Sequence, residues 1–109
     1  MSDISEIQKK VIAFRDERDW KQFHNPKDLA LDITIEAAEL LAEFLWKSPE
    51  EANKGKVQDE LADVVIGVLL LADAYGFDIR SIVEQKLEKI ALKYPVEKAR
   101  GRREKYTEL

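Results

Sequence analysis

No cysteine occurs among the 109 residues, which removes disulfides, thiolate chemistry and cysteine-ligated zinc. No long hydrophobic run is present either: the apolar stretch from Val64 to Ala72 is too short to span a bilayer and is flanked by Asp63 and Asp73. The opening Met1-Ser2-Asp3-Ile4-Ser5 lacks the basic and apolar regions of a signal peptide, so a cytoplasmic location is expected. β-alternation, internal repeats and low-complexity tracts are absent. The most telling gap is in positive charge. No Lys or Arg occurs from Asp28 through Trp46, and none from Val57 through Ile79.

What is present suits a compact helical chain. With 45% hydrophobic and 37% charged residues it falls outside the disordered class. One domain spanning 1–109 is expected, able to bury roughly two-thirds of its unfolded surface. The net charge of −4 conceals an asymmetry, because residues 28–79 hold twelve acids and three bases. So acidic a centre argues against a nucleic acid polymer as partner. It suits a small anionic ligand bridged by a metal.

The first helix is marked by Ile4, Ile7, Val11 and Phe14, with Asp3 or Ser2 as N-cap. Asn25-Pro26 starts a second helix, with Asn25 as cap and Asp28 three residues on, running to about Trp46. Ser48 and Glu51 form a capping-box pattern for a short helix that Lys54-Gly55-Lys56 would end. A third long helix follows from about Val57 to Tyr75, stopped by Gly76. Asp78 caps a fourth, which Pro95 terminates after Tyr94. A basic tail occupies about 96–109. The fold class is all-α, of the four-helix-bundle type.

Two matched acid pairs carry the chemistry: Glu36-x-x-Glu39 and Glu60-x-x-Asp63. The i,i+3 spacing puts each pair on one helix face, about 60° apart. On the second helix Leu29, Ile33 and Leu40 project beside Glu36, while Asp32, Glu39, Glu43 and Trp46 project on the other side of it. Val64, Gly67 and Leu71 share the face of Glu60. The acids therefore border the core stripe, where leaving them uncompensated is costly. Hard carboxylate oxygens suit magnesium, with manganese as a substitute, bridged to phosphates. A solvated acidic face is the ordinary alternative. A di-iron bundle would want Glu-x-x-His elements, and the single histidine, His24, lies outside both pairs. The third helix has little polar surface from Val64 to Ala72, so a homo-oligomer, dimer or tetramer, is expected with this helix central to the interface.

Glu36-Ala-Ala-Glu39, a twenty-residue spacer and Glu60-Leu-Ala-Asp63 resemble the signature of the MazG-like all-α nucleotide pyrophosphohydrolases. The stretch from Arg18 to Pro26, together with Lys86, Tyr94-Pro95 and the ending Lys105-Tyr106-Thr107-Glu108-Leu109, is similar to the dCTP pyrophosphatase branch. That resemblance implies magnesium-dependent hydrolysis of a (deoxy)nucleoside triphosphate, dCTP or several dNTPs, to the monophosphate and pyrophosphate. It implies metal binding by Glu36, Glu39, Glu60 and Asp63, and a base enclosed by Trp20 and Trp46 with His24 nearby. Lys86, ahead of Lys93, matches a phosphate-contacting position. Val11, Gly67 and Ile90 stand where the dCTP branch has a histidine, a tyrosine and an asparagine, which implies a broader dNTP range. Glu39 is the expected catalytic base, because Glu36, Glu60 and Asp63 suffice as ligands. The alternative from another class is a non-catalytic helical module binding nucleotide or protein.

Overall fold

The computed structural model describes residues 3–109 and is all-helical among them. Two compact units divide the chain after Phe77. In the first, α1 (Asp3–Glu17) leads through a 3-10 turn at Lys21–Phe23 into α2 (Pro26–Ala42) and then α3 (Lys54–Tyr75). The Asn25 side chain accepts the Asp28 N–H at 2.9 Å, with Pro26 in the first turn, so α2 begins where its sequence signals lie. At the far end of α3, Gly76 takes the left-handed φ of 69° that favours glycine. Asp3 is already helical, and Ser2, the other expected cap of α1, lies outside the described residues.

Two boundaries differ from expectation. α2 stops at Ala42, four residues short of Trp46, and a series of turns follows in which Trp46 adopts a φ of 63°. The helical projection that placed Trp46 beside Glu39 therefore does not extend to it. The expected short helix after Ser48 is only a turn. Its capping bond does form, from Ser48 N–H to Glu51 Oε1 at 3.0 Å. Asn53 then caps Lys56 N–H at 3.1 Å, so Lys54-Gly55-Lys56 open α3 instead of closing a helix before it.

Packing in this unit centres on α3. Ile33 of α2 lies against Gly67 of α3 while Glu36 meets Glu60 and Asp63, the opposed order of an antiparallel pair. α1 is tied to α3 by Gln8, which donates to the Leu69 carbonyl at 3.0 Å. A buried Arg15 adds a second tie, donating to Asp73 Oδ2 at 2.9 Å while its Nε reaches Asp16 at the same distance. The deepest apolar side chains are Leu29, Leu69 and Ala72. Large apolar side chains remain on the surface, among them Leu41, Leu45, Leu61, Val65 and Val68.

The second unit comprises α4 (Ile79–Lys93), α5 (Val96–Ala99) and a 3-10 turn at Tyr106–Glu108. Asp78 caps α4 by accepting the Ser81 N–H at 3.0 Å, and the Ser81 hydroxyl, donating at 2.6 Å, followed by that N–H, holds its carboxyl below the usual range. The tail is pinned by Tyr106, whose N–H donates to Tyr94 Oη at 3.1 Å and whose ring meets that of Tyr94 edge-on at 5.8 Å. No helix among the described residues is long and apolar enough to cross a membrane.

Candidate functional site

α2 and α3 bring three of the four paired acids together. One carboxylate oxygen each from Glu36, Glu60 and Asp63 falls within 4.8 Å of the others. Two oxygens on opposite sides of a magnesium ion, at about 2.1 Å each, lie about 4.2 Å apart, so the spacing accommodates one ion with slight contraction. Glu36 Oε2 and Glu60 Oε2 are shut off from solvent and have no hydrogen-bond partner. A carboxylate oxygen buried without a donor is costly, and a cation between the two satisfies both. The donor set is all oxygen, which suits magnesium or manganese better than a softer metal.

Glu39 stands beside this trio without joining it. Burial pushes the Glu36 carboxyl up to about 7, aided by hydrogen bonding to and repulsion from Glu39 and by repulsion from Asp63 and Glu60. Glu60 is raised by burial, by repulsion from and hydrogen bonding to Glu39, and by Asp63 and Glu43. With the Glu36 carboxyl raised to about 7, the cluster without a cation still holds part of a proton near neutral pH. Glu39, exposed like Asp63, adds its charge to both Glu36 and Glu60.

Along α3 from Asp63 a cavity of about 360 Å³ opens, lined by Val11, Phe14, Arg15, Trp20, Ile66 and Leu70 together with Lys10 and His24. Its walls are almost wholly apolar. Asp63, Ile66 and Leu70 lie three and four residues apart on α3, so the floor of the cavity adjoins the Asp63 side of the acid cluster. The Trp20 ring packs edge-on against Phe14 at 6.0 Å, and the Arg18 guanidinium lies 3.5 Å from the Phe14 centroid. His24 Nδ1 is buried without a partner. Trp46 does not line this cavity and is 93% exposed.

Lys86 and Lys93 belong to the C-terminal unit. Lys86 is exposed on α4, and the Lys93 ammonium sits 4.9 Å from the Tyr106 ring centroid. Arg15, which lines the cavity while paired with Asp73, is masked in the sequence by the charged run Arg15-Asp16-Glu17-Arg18-Asp19. A run of that kind ordinarily reads as solvated surface. The one local hint was Asp73, an acid at the end of the long apolar stretch of α3.

Comparison with known proteins extends the likeness over most of the chain. The dCTP pyrophosphatase 1 of Mus musculus is 35% identical over 97% of this chain and 67% of its own length. The Homo sapiens protein of the same name is 34% identical over the same shares. A solved structure described as a pyrophosphatase from Archaeoglobus fulgidus superposes with a TM-score of 0.79 at 39% identity, covering 87% of this chain and 94% of that one. The model of the MazG-like family matches residues 31–109, a stretch that contains all four paired acids, and the chain belongs to that family.

Proposed function

We propose that this protein is a divalent-metal-dependent pyrophosphohydrolase acting on (deoxy)nucleoside triphosphates, dCTP or several dNTPs, and releasing the monophosphate and pyrophosphate. The observation that carries the reading is the convergence of Glu36, Glu60 and Asp63 with two buried, partnerless oxygens, on helix stretches without a single basic residue. The names of the relatives, dCTP pyrophosphatase and pyrophosphatase, point the same way.

Glu36, Glu60 and Asp63 would hold the ion, magnesium before manganese. When bound, such an ion neutralises phosphate charge and polarises the phosphorus under attack. Glu39, exposed at the edge of the trio, is the proposed general base: its carboxylate accepts the proton of the water whose oxygen bonds to the attacked phosphorus as the α–β phosphoanhydride bond breaks. The apolar cavity receives the base, with Trp20 offering a ring for stacking. Lys86 and Lys93 are the proposed phosphate contacts, and loss of either ammonium is expected to raise KM.

Trp46 takes part in a different way. Trp20 and His24 precede the N-terminal end of α2, and Trp46 follows its C-terminal end. Seventeen helical residues separate the ends by about 25 Å, too far for both rings to enclose one base within a single chain. In a homodimer or homotetramer, Trp46 of one copy can complete the cavity of another. The exposed apolar side chains of α3, Leu61, Val65 and Val68, supply a face for that association. Sedimentation of a stable monomer at micromolar concentration would remove this part of the reading.

The decisive experiment incubates wild type and Glu39→Gln with magnesium and a panel of dNTPs and NTPs. Wild type is expected to turn over at least one deoxynucleotide, and the variant to lose about 100-fold or more in kcat with metal binding retained. Full turnover by Glu39→Gln at saturating magnesium would refute the base assignment. Nucleotide binding without turnover by wild type would favour the non-catalytic module.

A further inference from the structure

α3 carries a glycine in its interior, Gly67, at a position where neither a turn nor a positive φ calls for one. Glycine is disfavoured in a helix interior, so its presence there asks for a packing reason. A Cβ built on Gly67 would meet Ile33 Cγ1 at 2.9 Å, closer than side chains pack, and Ile33 Cα at 3.9 Å. Ile33 cannot easily give way. Its Cγ1 is a branch atom and not a flexible tip, and a β-branched residue in a helix has one strongly preferred χ1. With Ile33 opposite, a side chain at 67 in this chain therefore pushes α2 away from α3.

The position of this contact gives it a consequence for the acids. Gly67 lies one helical turn beyond Asp63 and two beyond Glu60, on the same face of α3. Ile33 lies one turn before Glu36 on α2. The 33–67 contact is thus one turn along the helix pair from the acid cluster, close enough for the spacing at one to be passed to the other. Magnesium–oxygen distances leave little latitude, about 0.1 Å around 2.0–2.1 Å. We infer that Gly67 is a positioning residue: by admitting Ile33 it sets the α2–α3 separation at which Glu36, Glu60 and Asp63 can share one divalent ion. The inference rests on the metal reading of the preceding subsection.

The test is manganese binding to the purified full chain, by calorimetry or by electron paramagnetic resonance of the free ion. The proteins are wild type, Gly67→Ala, Ile33→Ala and the double variant, each checked for fold by circular dichroism. Gly67→Ala is expected to stay helical and weaken manganese binding about tenfold or more, the scale of losing support around a metal ligand. Ile33→Ala removes the obstructing carbon, so the double variant should return to within about threefold of Ile33→Ala alone. Weakened manganese binding in a Gly67→Ala protein whose melting temperature in chelator matches wild type is what a merely destabilising substitution would not produce. Manganese affinity in Gly67→Ala equal to wild type overturns the inference, and so does a double variant as weak as Gly67→Ala. Should Gly67→Ala fail to fold, the comparison of Ile33→Ala with the double variant decides: equal binding supports the inference, and weaker binding in the double variant overturns it. Failure of wild type to bind manganese would instead strike the metal reading itself.

Discussion

Metal binding should release protons in an amount that the cluster geometry sets. Desolvation of the half-buried Glu36 carboxyl, with hydrogen bonding to and repulsion from Glu39 and repulsion from Asp63 and Glu60, pushes it up to about 7 in the metal-free protein. A carboxyl group ligates a cation only when deprotonated, so the proton fraction it holds must leave as the ion enters. From a pKa of about 7, Glu36 should release about half a proton at pH 7, about one at pH 5.5 and close to none at pH 8.5. Glu60, also raised, adds to the count on the acid side. Magnesium affinity should correspondingly fall by up to about tenfold per pH unit below 7 and level off above it. Calorimetric titration in two buffers of different ionisation heat reads the proton count directly, and Glu36→Gln should remove the half proton at pH 7. Release of no protons between pH 5.5 and 8.5, with flat affinity, would refute the claim that these buried carboxylates are the ligands.

The same carboxyls make the metal-free protein sensitive to alkali. The folded pKa of Glu36 lies above the unfolded value, so its contribution to stability is complete below about 4.5 and is lost as pH rises through about 7, and Glu60 acts in the same direction. The melting temperature in chelator should fall from pH 5 to pH 8, and saturating magnesium should flatten that slope in differential scanning calorimetry. Asp73→Ala leaves the buried Arg15 without its α3 partner and should cost about 2 kcal/mol in urea unfolding, since hydrogen bonds to charged groups contribute on that scale. Trp20→Ala should raise the nucleotide KM about 10- to 100-fold with a smaller change in kcat, the size of one lost base–aromatic stack. An unchanged KM would remove the apolar cavity as the base site.

Much of this arrangement is legible along the chain because the signals are local. Asn25, Asp78 and Gly76 mark helix ends through side-chain or backbone chemistry within a few residues, and each cap forms where the sequence places it. The acid pairs are legible because i,i+3 spacing puts both members on one face whatever surrounds the helix. The end of α2 is not: Glu43-Phe44-Leu45-Trp46 holds neither glycine nor proline, and the break at Ala42 is recorded in a positive φ at Trp46 that no local residue type announces. At the start of α3 Gly55 carries a stop signal by type, yet the Asn53 side chain before it caps the helix and the chain runs on through the glycine. Arg15 with Asp73, 58 residues apart, and the cavity assembled from α1, α3 and the intervening loop depend on tertiary packing, which periodicity cannot supply.

The most direct trial of the central claim is phosphorus NMR of dCTP, and of the other dNTPs in turn, incubated with the protein and magnesium. Appearance of the nucleoside monophosphate with pyrophosphate, abolished in Glu60→Gln, is the expected result. Free phosphate with a nucleoside diphosphate, or no turnover across the panel, would contradict the account.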